Sequence, residues 1–155
     1  MSEVFFHYDQ DRARAAIQLL DKISMTTIFL IDREHLVLYG RPVFGGLYFA
    51  GEHGPVNVSL ETDLVDNPDY KPDPENYLSV SDREILASIS KSYNQPLTLQ
   101  AWAKNLNRQI PYEDFFLDLP EKYQAELMWE LIQEDYEARL TPKDISLELW
   151  CARKA

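Results

Sequence analysis

The sequence predicts a mainly α protein, a compact helical domain with a small β-hairpin inserted after its central helix. Three observations predict it. Residues Thr26 to Tyr39 are apolar around nearly the whole helical circumference, with only Arg33 and Glu34 plainly polar outside the face that carries Asp32 and His35. All five glycines lie between Gly40 and Gly54, directly behind that run. Elsewhere, capping residues precede apolar positions that recur at helical spacing.

The elements follow in chain order. Asp9 to Ile23 reads as a first helix, with Asp9 as N-cap and Ala13, Ile17, Leu20 and Ile23 along one face. Ser24 breaks it. In the central helix Ile28, Ile31, Asp32, His35, Leu38 and Tyr39 share a face, opposite Leu30 and Val37, so the helix is expected to be buried. It stops at Gly40, free to enter the left-handed region, and Pro42 prevents its resumption. Val43 to Gly51 reads as the hairpin, with Gly45-Gly46 as its tight turn and Leu47-Tyr48-Phe49 as the returning strand. Gly54-Pro55 is expected to open a helix running to about Val65. Residues 66–77, with Pro68, Pro72 and Pro74 among acidic residues, read as an exposed loop. Ser81-Asp82-Arg83-Glu84 reads as a capping box for a helix to about Tyr93 with Ile85, Leu86 and Ile89 inward. Further helices are expected at Thr98–Leu106, burying Leu99, Trp102 and Leu106, at Glu121–Arg139, and from Thr141-Pro142 onward.

Asp32 and His35 therefore sit on a packed face and need partners, because a buried polar group left unsatisfied costs about 1–3 kcal/mol. Arg41 and the N–H groups of the Gly45-Gly46 turn are the nearest candidates. Two roles are open for these residues. Asp32, His35 and His53 have the chemistry of a metal or acid–base site; the same residues also suit a polar core that pins the hairpin to the helix. The chain contains no HExxH or CxxC spacing, and the glycine pair is followed by no GKS/T element and belongs to no GxGxxG. No cofactor, metal or catalytic constellation is expected, and a metal-dependent enzyme is the least favoured reading.

The segment Asp32-Arg33-x-His35, Tyr39-Gly40-Arg41-Pro42, Gly45, Tyr48, His53-Gly54-Pro55-Val56 resembles the signature of the Panacea (SocA-like) domain family. Leu78-Ser79-x-Ser81-Asp82 resembles that family's second half, so the resemblance spans roughly Asp9 to Pro111 of a single domain over residues 1–155. Many relatives carry Thr-His where this chain has Asn107-Arg108, and the helical tail of residues 117–155 has no recognised resemblance. The resemblance implies an antitoxin of a bacterial or phage toxin–antitoxin system, which neutralises a co-encoded protein toxin by direct binding. It also implies alternatives: a proteolytic adaptor that delivers a toxin to a Clp-type protease, or a phage–host interaction protein. The motif residues are then structural or partner-binding.

Composition is compatible with a binding protein. Twenty-six acidic against fifteen basic residues give a net charge of −11, which opposes contact with nucleic acid phosphates and favours a basic protein partner. No basic recognition helix is present, so autonomous nucleic-acid binding is not expected. No stretch approaches a membrane span, residues 1–8 lack the features of a signal peptide, and the lone Cys151 suits a reducing cytoplasm. In the tail, Trp129, Leu131 and Ile132 are expected mostly to pack inward. A sharper alternative makes Trp129 part of a partner surface flanked by Glu130, Glu134 and Asp135.

Overall fold

A computed structural model of the chain describes residues 6–51 and 54–92, together with Gln124 and Trp129. The expected helices at 98–106 and from 141 onward lie outside the described residues, as do His53, Glu130, Glu134 and Asp135; of 121–139 only Gln124 and Trp129 are described, both helical. The architecture is mainly helical with one two-stranded antiparallel hairpin.

Helix α1 spans Gln10–Ile17, and Asp9 caps it by accepting from the Arg12 N–H at 3.0 Å. It ends earlier than its periodicity predicts. The Leu19 and Leu20 N–H groups turn back to the Ala16 and Ile17 carbonyls, which buries Leu20 but leaves Leu19 and Ile23 exposed. Helix α2, Met25–Tyr39, is the core element: from Thr26 to Val37 only Glu34 escapes full burial. Gly40 ends it at φ +83° and donates to the Leu36 carbonyl, as its position in the sequence requires.

The hairpin lies further along the chain than expected. Strand β1 is Tyr48–Gly51 and β2 is Gly54–Asn57, with Tyr48 opposite Asn57 and Ala50 opposite Pro55. Pro55 is thus a strand residue, tolerable because a two-stranded ribbon leaves each strand an unpaired edge. Helix α3, Val58–Asp66, starts only after Asn57, whose Oδ1 accepts from the Leu60 N–H at 3.0 Å. Gly45 and Gly46 do have positive φ, +70° and +95°, but they belong to an irregular loop and not to a hairpin turn.

Residues 66–77 are mostly exposed, and their backbone is tied to the first helix and its C-terminal end. Buried Arg14 of α1 donates to the Asp63 and Asn67 carbonyls at 3.3 and 2.6 Å, and Gln18 donates to the Pro72 carbonyl at 2.6 Å. The Asp63 carboxylate in turn receives Tyr8, Gln10 and Asn67. The side chains of Arg14 and Gln18 thus hold the proline-rich stretch by its backbone, which composition does not reveal. The stretch ends in a short helix α4, Pro74–Tyr77, capped by Asp73.

Helix α5, Val80–Ser92, packs against α2 and buries Ile85, Leu86 and Ile89, as expected. Its capping box is displaced by two residues from the sequence reading. Ser79 Oγ accepts from the Asp82 N–H at 3.1 Å while Asp82 Oδ2 accepts from the Ser79 N–H at 2.9 Å. The displacement frees Ser81 for another role.

Candidate functional site

Asp32, His35, Gly40, Arg41, Pro42, Gly45 and Tyr48 of the motif converge on the irregular loop between α2 and β1. Asp32, fully buried on α2, accepts at Oδ1 from the N–H groups of Val43 and Phe44 at 2.8 and 2.7 Å. Its Oδ2 accepts from the Gly45 N–H at 3.0 Å and the Tyr48 hydroxyl at 2.8 Å. Burial pushes the Asp32 carboxyl up to about 6, and the four donors pull against that rise. Tyr48 is raised as well, by burial and then by the charge of Asp32.

The rest of the loop is equally well matched. Gly46 N–H donates to the Phe6 carbonyl at 2.6 Å and Leu47 N–H to Ser59 Oγ at 3.0 Å. On the acceptor side, Arg41 O faces His35 Nδ1, Pro42 O receives Arg41 and Arg12, and Val43 O receives Arg12 Nε at 2.7 Å. Phe44 O receives the Asp9 N–H, Gly45 O receives Asn57 Nδ2, Gly46 O receives Trp129 Nε1 at 2.7 Å, and Leu47 O receives the Val58 N–H. Every carbonyl from Arg41 to Leu47 has a partner, so the segment needs no strand pairing to satisfy its backbone. A Cβ on Gly45 would lie 2.3 Å from the His7 carbonyl oxygen. Gly45→Ala is therefore expected to cost about 2–4 kcal/mol, from positive φ plus a backbone clash. A urea midpoint equal to that of the parent would refute this.

A second polar cluster joins this loop to α5. His35 Nδ1 lies 2.6 Å from the Arg41 carbonyl, and since a carbonyl only accepts, Nδ1 carries the hydrogen. His35 Nε2 lies 3.0 Å from Ser81 Oγ and 3.2 Å from Asp82 Oδ1. Arg41 Nη2 lies 2.9 Å from the same Asp82 oxygen and donates to Ser79 Oγ at 3.4 Å. Oδ1 has no hydrogen bond of good angle; the Arg41 guanidinium acts on it as a charge, and the His35 ring lies beside it. Burial opposes ionisation of Asp82, but His35, the Ser79 N–H and Arg41 outweigh it and hold the carboxyl well below the usual range.

This fixes a pH dependence. A depressed folded-state value stabilises the fold above the ordinary carboxylate value of 3.8 and loses that contribution as pH falls below it; Asp63, also lowered, adds the same sign. Asp32 works oppositely, its contribution being present below 3.8 and lost as pH rises through about 6. Urea midpoints measured from pH 6 to 2 are expected to drop mainly below 4, with a shallower drop in Asp82→Asn. An unchanged slope in that variant would contradict the assignment.

The structure thus brings together Asp32, His35, Tyr39, Gly40, Arg41, Pro42, Gly45 and Tyr48. The His35 and Tyr39 rings lie 4.8 Å apart, and Arg33 is buried on α2. Gly54 and Pro55 stand in β2. Arg41, expected to serve Asp32, pairs with Asp82 instead. Trp129 is fully buried, edge-on to Phe6 and Tyr48, which removes it from any exposed partner surface. Sequence reasoning missed Arg12, Asn57 and Ser59, whose roles depend on contacts distant in sequence. The Ser79-x-x-Asp82 spacing could have revealed the true cap.

Among the described residues no cluster of three or more His, Cys, Asp or Glu is placed to hold a metal ion, and no helix is long and apolar enough to cross a membrane. Comparison with family models, curated proteins and solved structures returns no match to this chain.

Proposed function

We propose that this chain is a cytoplasmic antitoxin of the Panacea type, which binds a co-encoded protein toxin and neutralises it stoichiometrically. The observation that carries the reading is the use made of the motif. Asp32, His35, Gly45 and Tyr48 spend their polar groups and conformational freedom on holding one irregular loop in a fixed shape. A rigid presented loop suits recognition, because little ordering entropy is lost on binding. The net charge of −11 favours a basic partner surface and fast association at low salt.

Co-expression with the adjacent open reading frame tests the proposal. Growth rescue together with a co-purifying complex is the expected result. Rescue that disappears in a host lacking Clp proteases, with the partner stabilised there, would assign the adaptor role instead. Absence of both rescue and complex would overturn the reading.

A further inference from the structure

We propose that Asp32 and Tyr48 form a buried proton switch that slackens the loop at Gly45 on mild acidification. Asp32 Oδ2 takes a proton from solvent, Tyr48 turns its hydroxyl from Asp32 to the Ile28 carbonyl, and Gly45 is left on a weaker acceptor. The inference is independent of toxin binding and rests on which atoms surround each carboxylate oxygen.

Oδ1 of Asp32 faces the N–H groups of Val43 and Phe44, at 2.8 and 2.7 Å. An N–H cannot accept, so a proton placed on Oδ1 would meet a donor. Oδ2 faces the Gly45 N–H at 3.0 Å and the Tyr48 hydroxyl at 2.8 Å. A hydroxyl both donates and accepts, so of these four partners Tyr48 alone can receive a hydrogen from the carboxyl. Reversing that bond requires a new acceptor for the Tyr48 hydrogen. The Ile28 carbonyl, 3.3 Å from the hydroxyl oxygen, provides it, since a helical carbonyl keeps a lone pair beyond its own i+4 bond. Asn57, which hydrogen-bonds to Tyr48 and gives Nδ2 to the Gly45 carbonyl, needs no new partner.

The two forms differ most at one amide. Ionised, the carboxylate serves Val43, Phe44 and Gly45 alike. Protonated, Oδ1 remains a carbonyl oxygen and keeps its two donors, whereas Oδ2 becomes a hydroxyl oxygen with a single weak lone pair toward Gly45. The neighbouring ionisable groups are engaged elsewhere. Arg12 of α1, whose guanidinium feels the Asp32 charge, is bound to the Val43 carbonyl. On α2, Arg33 is buried, and His35 turns its ring nitrogens to the Arg41 carbonyl and to Ser81 and Asp82. Arg41 of the loop pairs with Asp82 of α5, while Asn57 and Ser59, which hold the loop from β2 and α3, do not titrate. Burial lifts the Asp32 carboxyl to about 6 against its four donors, and the ordinary value is 3.8. Between those values the proton binds the fold in preference to the unfolded chain, which suits a site with an acceptor ready for it.

The full chain, labelled with 15N and with 13C at aspartate Cγ and tyrosine Cζ, is titrated from pH 8 to 5 by NMR, with circular dichroism following the fold. The Asp32 Cγ resonance is expected to shift with a midpoint near 6 while the protein stays folded. Tyr48 Cζ and the Gly45 amide proton are expected to shift with that same midpoint, Gly45 moving upfield and further than Val43 or Phe44. An Asp32 Cγ that does not titrate in this range, or a Tyr48 Cζ that stays fixed through the Asp32 midpoint, overturns the proposal. So does movement of Val43 or Phe44 as large as that of Gly45, or loss of the folded signal together with Asp32 protonation.

Discussion

Asp32→Ala is expected to destabilise the protein by at least about 3 kcal/mol, and to leave a chain that is largely unfolded if the parent sits at the low end of the usual 5–15 kcal/mol. The substitution strands three backbone N–H groups and the Tyr48 hydroxyl, all buried and all aimed at the missing carboxylate. Each orphaned donor costs about 1–3 kcal/mol, reduced where water enters the space left behind. Asp32→Asn is expected to fare little better, because its amide NH2 would face donors where an acceptor is needed. Denaturation followed by circular dichroism measures the loss, alongside toxin rescue. An Asp32→Ala protein that melts like its parent yet fails to rescue would place Asp32 in a functional site and reject the scaffold role.

Trp129→Ala is expected to cost about 3–5 kcal/mol, the range for emptying an aromatic site in a packed core. The indole stands edge-on to both Phe6 and Tyr48, with centroids 5.1 and 5.2 Å away, and caps the Gly46 carbonyl. Trp129→Phe retains most of the packing and loses the donor, so about 1–3 kcal/mol is expected for the stranded carbonyl. Because Tyr48 also serves Asp32, losses at Trp129 and Asp32 are expected not to add. A double-mutant cycle showing strict additivity would reject that coupling.

Local signals carried the fold reading furthest. The end of α2 at Gly40, the Asp9 cap and the inward face of α5 each depend on residues within one or two turns, and all were readable. Positive φ at Gly45 and Gly46 was readable too, but a glycine pair does not say what its backbone will bond. The sequence suggested a neighbouring strand; Asp32, Asn57, Ser59 and Trp129 provide the partners instead. At the site, burial of Asp32 and His35 followed from their place on an apolar helix. The pairing of His35 with Ser81 and Asp82 joins residues more than forty positions apart, and no periodicity encodes it.

The loop at 41–47 has a kinetic corollary. Its amides are held by side chains and backbone from the N-terminal stretch, α2, the end of β2 and α3, so no local nucleus can protect them. The segment is expected to acquire its shape only after those elements have docked, and to shed it only when they separate. Hydrogen exchange at Val43, Phe44 and Gly45 is therefore expected to be as slow as in the centre of α2, giving irregular backbone the protection normally reserved for a core helix.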